Sequence, residues 1–246
     1  MGEIIAVASG KGGTGKTSLC AGLGCALAQR GQNVLCVDMD VGLRNLDIAL
    51  AMAEEPALAF SEASADRPLR DQAARHSRFG NLWLFTAPAL RDPEELDGAH
   101  FADLMARARQ EFDFVFLDAP AGLGEAFRLS ARESSRVLLV CGSDPASLRD
   151  AARTAEVLEL MGRTRCSLIV NRLNEKLIDK MHLTVDDVMD GAGLPLTGVV
   201  PEDRNVPLAA VFGTPLLLYG KRGACAACRR IARRLLGDRV PIPNRL

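Results

Sequence analysis

Eight residues near the N-terminus, Gly10-Lys11-Gly12-Gly13-Thr14-Gly15-Lys16-Thr17, have the spacing G-x-x-x-x-G-K-[ST]. An apolar, β-rich run (residues 4–8) leads into them and a helical run (18–29, opening at Ser18) follows. In that strand–loop–helix setting the glycines let backbone N–H groups turn inward around a phosphate, and the helix N-terminus adds its positive dipole end. Lys16 is expected to reach the β- and γ-phosphates of a nucleotide, and the Thr17 hydroxyl to ligate Mg²⁺. Such a loop needs a carboxylate to hold the metal. Asp118 closes the hydrophobic run 114–117, and Asp38 and Asp40 follow the run 34–37. The C-terminal ends of parallel strands converge on one crevice, so the three acids are expected around the γ-phosphate, with Asp38 and Asp118 on the metal side. For Asp38 and Asp40 a second reading stays open, capping of a loop at a strand end.

The elements that must position these groups are legible as alternation. Short apolar runs at 4–8, 34–37, 82–85, 114–117, 137–141, 168–170 and 198–200 are mostly continuous rather than alternating in polarity, as in strands covered on both faces. Helical stretches lie between them, at 17–29, around Phe101, Leu104, Met105, Ala108 and Phe112, and at 147–160. The expected fold class is α/β, a doubly wound, mostly parallel sheet with helices on both faces. One domain over residues 1–246 is expected, with 238–246 a short irregular tail. The polar, Ala-rich stretch 56–80 is expected to hold short helices without definable bounds.

Composition removes several classes. With 48% hydrophobic and 25% charged residues, the 246-residue chain is not a disordered tail protein. No apolar run reaches the ~20 residues that span a bilayer, and no basic segment precedes the first apolar run as a signal peptide requires. Seven cysteines without disulfide spacing fit a reducing compartment. A soluble cytoplasmic protein is expected. The net charge of −1 conceals an asymmetry: residues 219–246 carry eight cations against Asp238 alone. A basic end of this kind can meet phosphate on DNA or lipid.

At Lys11 the loop stops being generic. A lysine directly after the first glycine resembles the deviant phosphate loop of the MinD/ParA group of ATPases. Residues 38–47, Asp38-Met39-Asp40-Val41-Gly42-Leu43-Arg44-Asn45-Leu46-Asp47, are similar to that group's first switch, and Asp118-Ala119-Pro120-Ala121-Gly122 to its second. Residues 147–153 resemble the MinD helix that meets partner proteins, and Asn171-Arg172 and Pro201-Glu202-Asp203 the adenine-side segments. The resemblance implies an ATP-dependent homodimer that opens on hydrolysis, with ATP/ADP and Mg²⁺ as cofactors. It makes Lys11 the lysine that crosses to the partner subunit's phosphates, and Asp40 the residue that positions the attacking water. It implies spatial regulation, first of all septum-site placement, with a division-inhibitor or topological-regulator protein as partner. DNA positioning, as in ParA-like proteins, is the alternative.

Three departures qualify what the resemblance implies. MinD proteins usually end in an amphipathic helix that inserts into the membrane, whereas Pro241 and Pro243 bar a regular helix after Gly237. The last helical pattern, 224–236, is expected to dock on the sheet, leaving the inner face of the cell membrane an open location. Ala152 stands where the partner-facing helix commonly carries a second acid, while Arg149, Asp150 and Arg153 remain. Cys225-Ala226-Ala227-Cys228 could supply two thiolates to an iron–sulfur cluster shared between two chains. Its alternative reading, a pair of small core residues, is favoured.

Overall fold

The computed structural model describes residues 1–41, 43–88, 96–174 and 185–242. Eight strands among the described residues form one sheet: β1 (Glu3–Ala8), β2 (Val34–Asp38), β3 (Ala74–Arg75), β4 (Leu82–Phe85), β5 (Phe114–Asp118), β6 (Arg136–Cys141), β7 (Cys166–Leu173) and β8 (Leu196–Pro201). Their order is β3-β4-β2-β5-β1-β6-β7-β8. Every pairing is parallel except β3 with β4, a short antiparallel edge that the sequence did not announce.

Nine helices among the described residues cover the sheet: α1 (Lys16–Ala28), α2 (Leu46–Leu50), α3 (Gly98–Glu111), α4 (Glu125–Glu133), α5 (Pro145–Leu160), α6 (Val185–Ala192), α7 (Asn205–Val211), α8 (Leu216–Tyr219) and α9 (Gly223–Leu235). The strands read as continuous apolar runs because both faces are buried. Ile5 and Val7 of β1 enter the core under α1, α8 and α9, while Ile4, Ala6 and Ala8 enter the core under α3 and α4. The stripe Phe101, Leu104, Met105 and Ala108 is the buried side of α3. α1 has no such stripe, since eleven of its thirteen residues are buried between the sheet, α2 and α9. Stretch 56–80 contains two 3₁₀ turns, Phe60–Glu62 and Leu69–Asp71, and then β3.

α9 docks as expected. It packs on α1 and β8, with Cys225, Cys228, Ile231 and Leu235 turned into the core. Gly198 of β8 makes the approach feasible, because a Cβ there would collide with Ile231. In the tail, residues 238–242 carry no helix, and Ile242 lies partly buried against the β6–β8 side of the core. No helix among the described residues is long and apolar enough to cross a membrane.

Candidate functional site

β1 lies at the centre of the sheet, and the chain leaves its C-terminal end for β2 on one side while β6 lies on the other. This reversal opens a crevice at the strand ends, and the loop 10–17 fills it. Ser9 donates to the Lys11 carbonyl at 2.7 Å, closing the loop's entry. Gly13 and Gly15 take φ of 77° and 88°, the left-handed region that a side chain disfavours. Gly15 also abuts Asn171, whose amide Nδ2 donates to the Thr14 carbonyl at 2.7 Å. Gly10 lies against Asp150 and Thr154 of α5, where a Cβ would not fit.

Lys16, at the start of α1, is only 8% exposed. Burial pulls its pKa down, and the charges of Asp118 and Asp40 oppose that pull. Asp118, at the end of β5, is buried and its carboxyl is pushed up to about 7. Desolvation is the main cause; the Thr17 hydroxyl bond and Lys16 lower it, while Asp38 and Asp40 raise it. Asp118 Oδ1 and Thr14 Oγ1 are buried with no hydrogen-bond partner among the described residues. Burial of an unpaired carboxylate oxygen is costly. Beside the Thr17 hydroxyl and Lys16, it fits a hydrated divalent cation on a bound phosphate. The donor chemistry of Thr17 and Asp118 fits Mg²⁺.

Asp38 lies beside Asp118 and also serves the loop that follows it. It is paired in register with Asp118 on the adjacent strand. Its Oδ1 accepts the Asp40 amide at 2.9 Å, and its Oδ2 accepts those of Asn45 and Leu46, both at 3.1 Å. Both oxygens thus hold the loop between β2 and α2, which is the capping reading, while Oδ1, accepting one amide, keeps acceptor capacity beside Asp118. Burial raises its pKa, and the Asp40 and Leu46 amides lower it in part. Asp38 is the brace of the segment that presents Asp40.

On the nucleoside side, a cavity of about 710 Å³ joins Gly13, Lys16, Thr17 and Ser18 to Asn171, Arg172, Pro201, Glu202 and Asp203. Its apolar wall comes from α7 and α8, and its size suits a nucleotide. The structure thus brings the expected adenine-side residues into one wall with the phosphate loop. Arg172 adopts φ 55° in a β7 irregularity and spans from the Gly13 carbonyl (3.4 Å) to Glu202 (3.1 Å). Asp203 is spent on the backbone, accepting from Asn205 and Ala224.

Across the loop is a second, more open cavity of about 310 Å³, bordered by Lys11, Gly12, Asp144 and Ser147. Lys11 Nζ reaches Asp144 Oδ1 at 3.3 Å, with the two side chains 39% and 49% exposed. Asp144 caps α5 by accepting the Ser147 amide at 2.9 Å. Although partial burial opposes it, the Ser147 amide and Lys11 hold its carboxyl below the ordinary value. Sequence reasoning missed Asp144. The signal was there, because Asp144-Pro145 after β6 is a helix-start pattern at a strand end that opens on the crevice. Within 147–153, Ser147 and Ala151 are buried and Arg149 and Arg153 exposed, so only the latter two face outward from α5. Cys225 and Cys228 are buried in the core beside α1, where neither can meet a second chain. This geometry removes the shared-cluster alternative.

A phosphate loop after a central strand, with an inward lysine and a strand-end aspartate, defines the P-loop class of nucleotide-binding proteins. Comparison narrows the class. A family model described as the CobQ/CobB/MinD/ParA nucleotide binding domain matches residues 5–216, and the chain belongs to that family. It is a MinD-like ATPase within it. The septum site-determining protein MinD of Synechocystis is 34% identical over 244 residues, covering 98% of this chain and 92% of the relative. The MinC:MinD cell division protein complex of Aquifex aeolicus superposes with a TM-score of 0.89 at 30% identity, covering 98% of each chain. The MinD of Pyrococcus horikoshii complexed with Mg-ADP gives 0.82 at 26% identity, covering 96% of each chain.

Proposed function

We propose that this chain is an ATP-gated dimerising switch that serves division-site placement, hydrolysing ATP slowly until a partner protein accelerates it. The observation that carries this reading is the division of labour between two lysines of one loop. Lys16 is buried against Asp118 inside the nucleotide cavity, whereas Lys11 stands on the outer side, half exposed and paired with Asp144. The names of the Synechocystis and Aquifex relatives support division-site placement as the use.

ATP would lie with its phosphates in the loop and its base along the wall formed by Asn171, Pro201, Glu202 and Asp203. The amides of residues 12–17, the α1 dipole and Lys16 bind the β- and γ-phosphates. Thr17 and Asp118 would hold Mg²⁺, which supplies charge neutralisation between those phosphates. Asp40, set on the loop that Asp38 braces, accepts a hydrogen bond from the attacking water. Lys11 leaves Asp144 and crosses to the phosphates in the partner subunit. A half-exposed ion pair is worth about 0–1 kcal/mol, so the tether costs little to break. Moving a population from open to closed takes a preference of ~10⁴-fold, and two lysines facing two triphosphates supply charge for it. Loss of the γ-phosphate removes that preference and returns Lys11 to Asp144. Arg149 and Arg153 lie exposed in the first and middle turns of α5, the helix that Asp144 caps, and we assign the division-inhibitor contact there.

The test is ATP turnover against protein concentration. Specific activity should rise with concentration as dimers form, and Asp40→Ala should lose turnover while keeping nucleotide affinity. Concentration-independent turnover, or full turnover in Asp40→Ala, would overturn the switch.

A further inference from the structure

The outer cavity of about 310 Å³ has more in its lining than the Lys11–Asp144 pair. Thr14 borders this cavity and does not border the nucleotide cavity. It is 6% exposed, and its hydroxyl is buried with no hydrogen-bond partner among the described residues. A hydroxyl left unpaired on burial is costly, and a ligand in the cavity would meet it. Ser143, also 6% exposed, borders the cavity just ahead of α5. Two cations join these hydroxyls. Lys11 Nζ reaches Asp144, Arg172 donates to the Gly13 carbonyl and Glu202, and both keep further N–H groups. The N-terminus of α5 opens on the same space with its positive dipole end. Of the two acids on the lining, Glu202 is held by Arg172. Asp144 has its carboxyl below the ordinary value, although partial burial opposes this, so it accepts and does not donate.

We infer that the outer cavity binds inorganic phosphate, with Lys11, Arg172, Thr14 and Ser143 donating to its oxygens and Asp144 accepting from its P–O–H. Donors on most sides with one ionised carboxylate among them suit an anion that carries its own proton. Inorganic phosphate does so at neutral pH. Sulfate and the inner phosphates of a nucleotide do not, and each would set a bare oxygen against Asp144. Gly13 borders both cavities, so the loop itself is the wall between this phosphate and the nucleotide. The binding site stands on the cavity alone. Its consequence rests on the reading of Lys11 given above: phosphate, a product of ATP hydrolysis, holds Lys11 on the outer side and opposes its crossing to a partner subunit.

The experiment is titration calorimetry of inorganic phosphate, and separately of sulfate, into the full chain saturated with Mg-ADP. Phosphate should bind wild type, and sulfate should bind about tenfold more weakly or worse, because its unprotonated oxygens face a carboxylate. Ser143→Ala should weaken phosphate binding about fivefold or more at an unchanged melting midpoint. Asp144→Asn keeps a cap on α5 and gains a donor, so it should take sulfate as readily as phosphate. Absence of phosphate binding, or equal binding of the two anions to wild type, would overturn the site. So would phosphate binding unchanged in Ser143→Ala, which would place the anion in the nucleotide cavity instead. Light scattering of wild type in ATP reads the consequence separately. Phosphate and not sulfate should slow dimer formation. Dimerisation indifferent to phosphate, with binding intact, would overturn the hold on Lys11 and leave the site standing.

Discussion

The inner and outer sides of one loop differ in how tightly they are held. Inside, Lys16, Thr17 and Asp118 are packed among elements fixed by the sheet, and the site's strain is electrostatic, with a buried carboxylate pushed up to about 7. Outside, Lys11 meets Asp144 at 3.3 Å in a half-exposed pair that solvent screens. The inner part binds and the outer part moves. Burial makes the inner group a fixed receptor that needs a cation to be satisfied, and exposure makes the outer group cheap to release.

The largest effect should come from breaking the inner side. Lys16→Ala should weaken ATP binding by about 100-fold or more, since it removes a desolvated cation aimed at two phosphates; titration calorimetry checks this. Asp144→Ala frees Lys11 without touching the nucleotide cavity, so ATP-driven dimers should form at about 2–5-fold lower protein concentration, the worth of one screened pair. Light scattering across a dilution series reads that shift, and an unchanged midpoint would remove the tether from the account.

The inner side also predicts a trade between stability and function. Asp118 has its pKa raised on folding, so the folded state prefers the protonated form. Stability is therefore highest at low pH and falls as pH rises from the unfolded value near 4 to the folded value of about 7. At pH 8 without magnesium, Asp118→Asn should gain on the order of 1–2 kcal/mol, a few degrees of melting midpoint, while losing turnover. Adding magnesium and ATP should shrink that gain, because the cation satisfies the wild-type carboxylate.

The smallest effect concerns the far end of the segment carrying Asp40. His76 is buried; its Nε2 lies 3.0 Å from the Leu50 carbonyl at the end of α2, and its Nδ1 accepts the Arg78 amide. Burial lowers its pKa from the ordinary 6.5, with the Leu50 bond opposing that and Arg78 adding to it. A lowered histidine contributes stability that is lost as pH falls below 6.5 through the folded value. The melting midpoint of wild type should therefore fall more between pH 6.5 and 5 than that of His76→Gln, which keeps a donor toward Leu50 and cannot titrate.

Much of the inner side was legible in the sequence, because its groups sit within a few residues of strand ends that apolar runs mark directly. Gly10–Thr17, Asp40 and Asp118 needed only local pattern and the rule that parallel strand ends converge. The outer side was not, since Asp144 lies 133 residues from Lys11 and nothing local pairs them. Asp38 shows a subtler limit: strand-end placement located it, but only the course of the loop back to Asn45 and Leu46 shows where its oxygens go. In the fold, α1 hid its surroundings because a helix buried on all sides has no stripe to read. α9 had a clear stripe, and Gly198 explains why that stripe meets the sheet rather than a second surface.

Lys16 binds the nucleotide, and Lys11 couples that binding to association. Sedimentation velocity of wild type, Lys11→Ala and Lys16→Ala in ATP and in ADP separates the two roles. Wild type should be a dimer in ATP alone, with monomers in every other arm and Lys11→Ala still saturated with nucleotide. A Lys11→Ala dimer in ATP, or a wild-type dimer equally populated in ADP, would contradict that coupling.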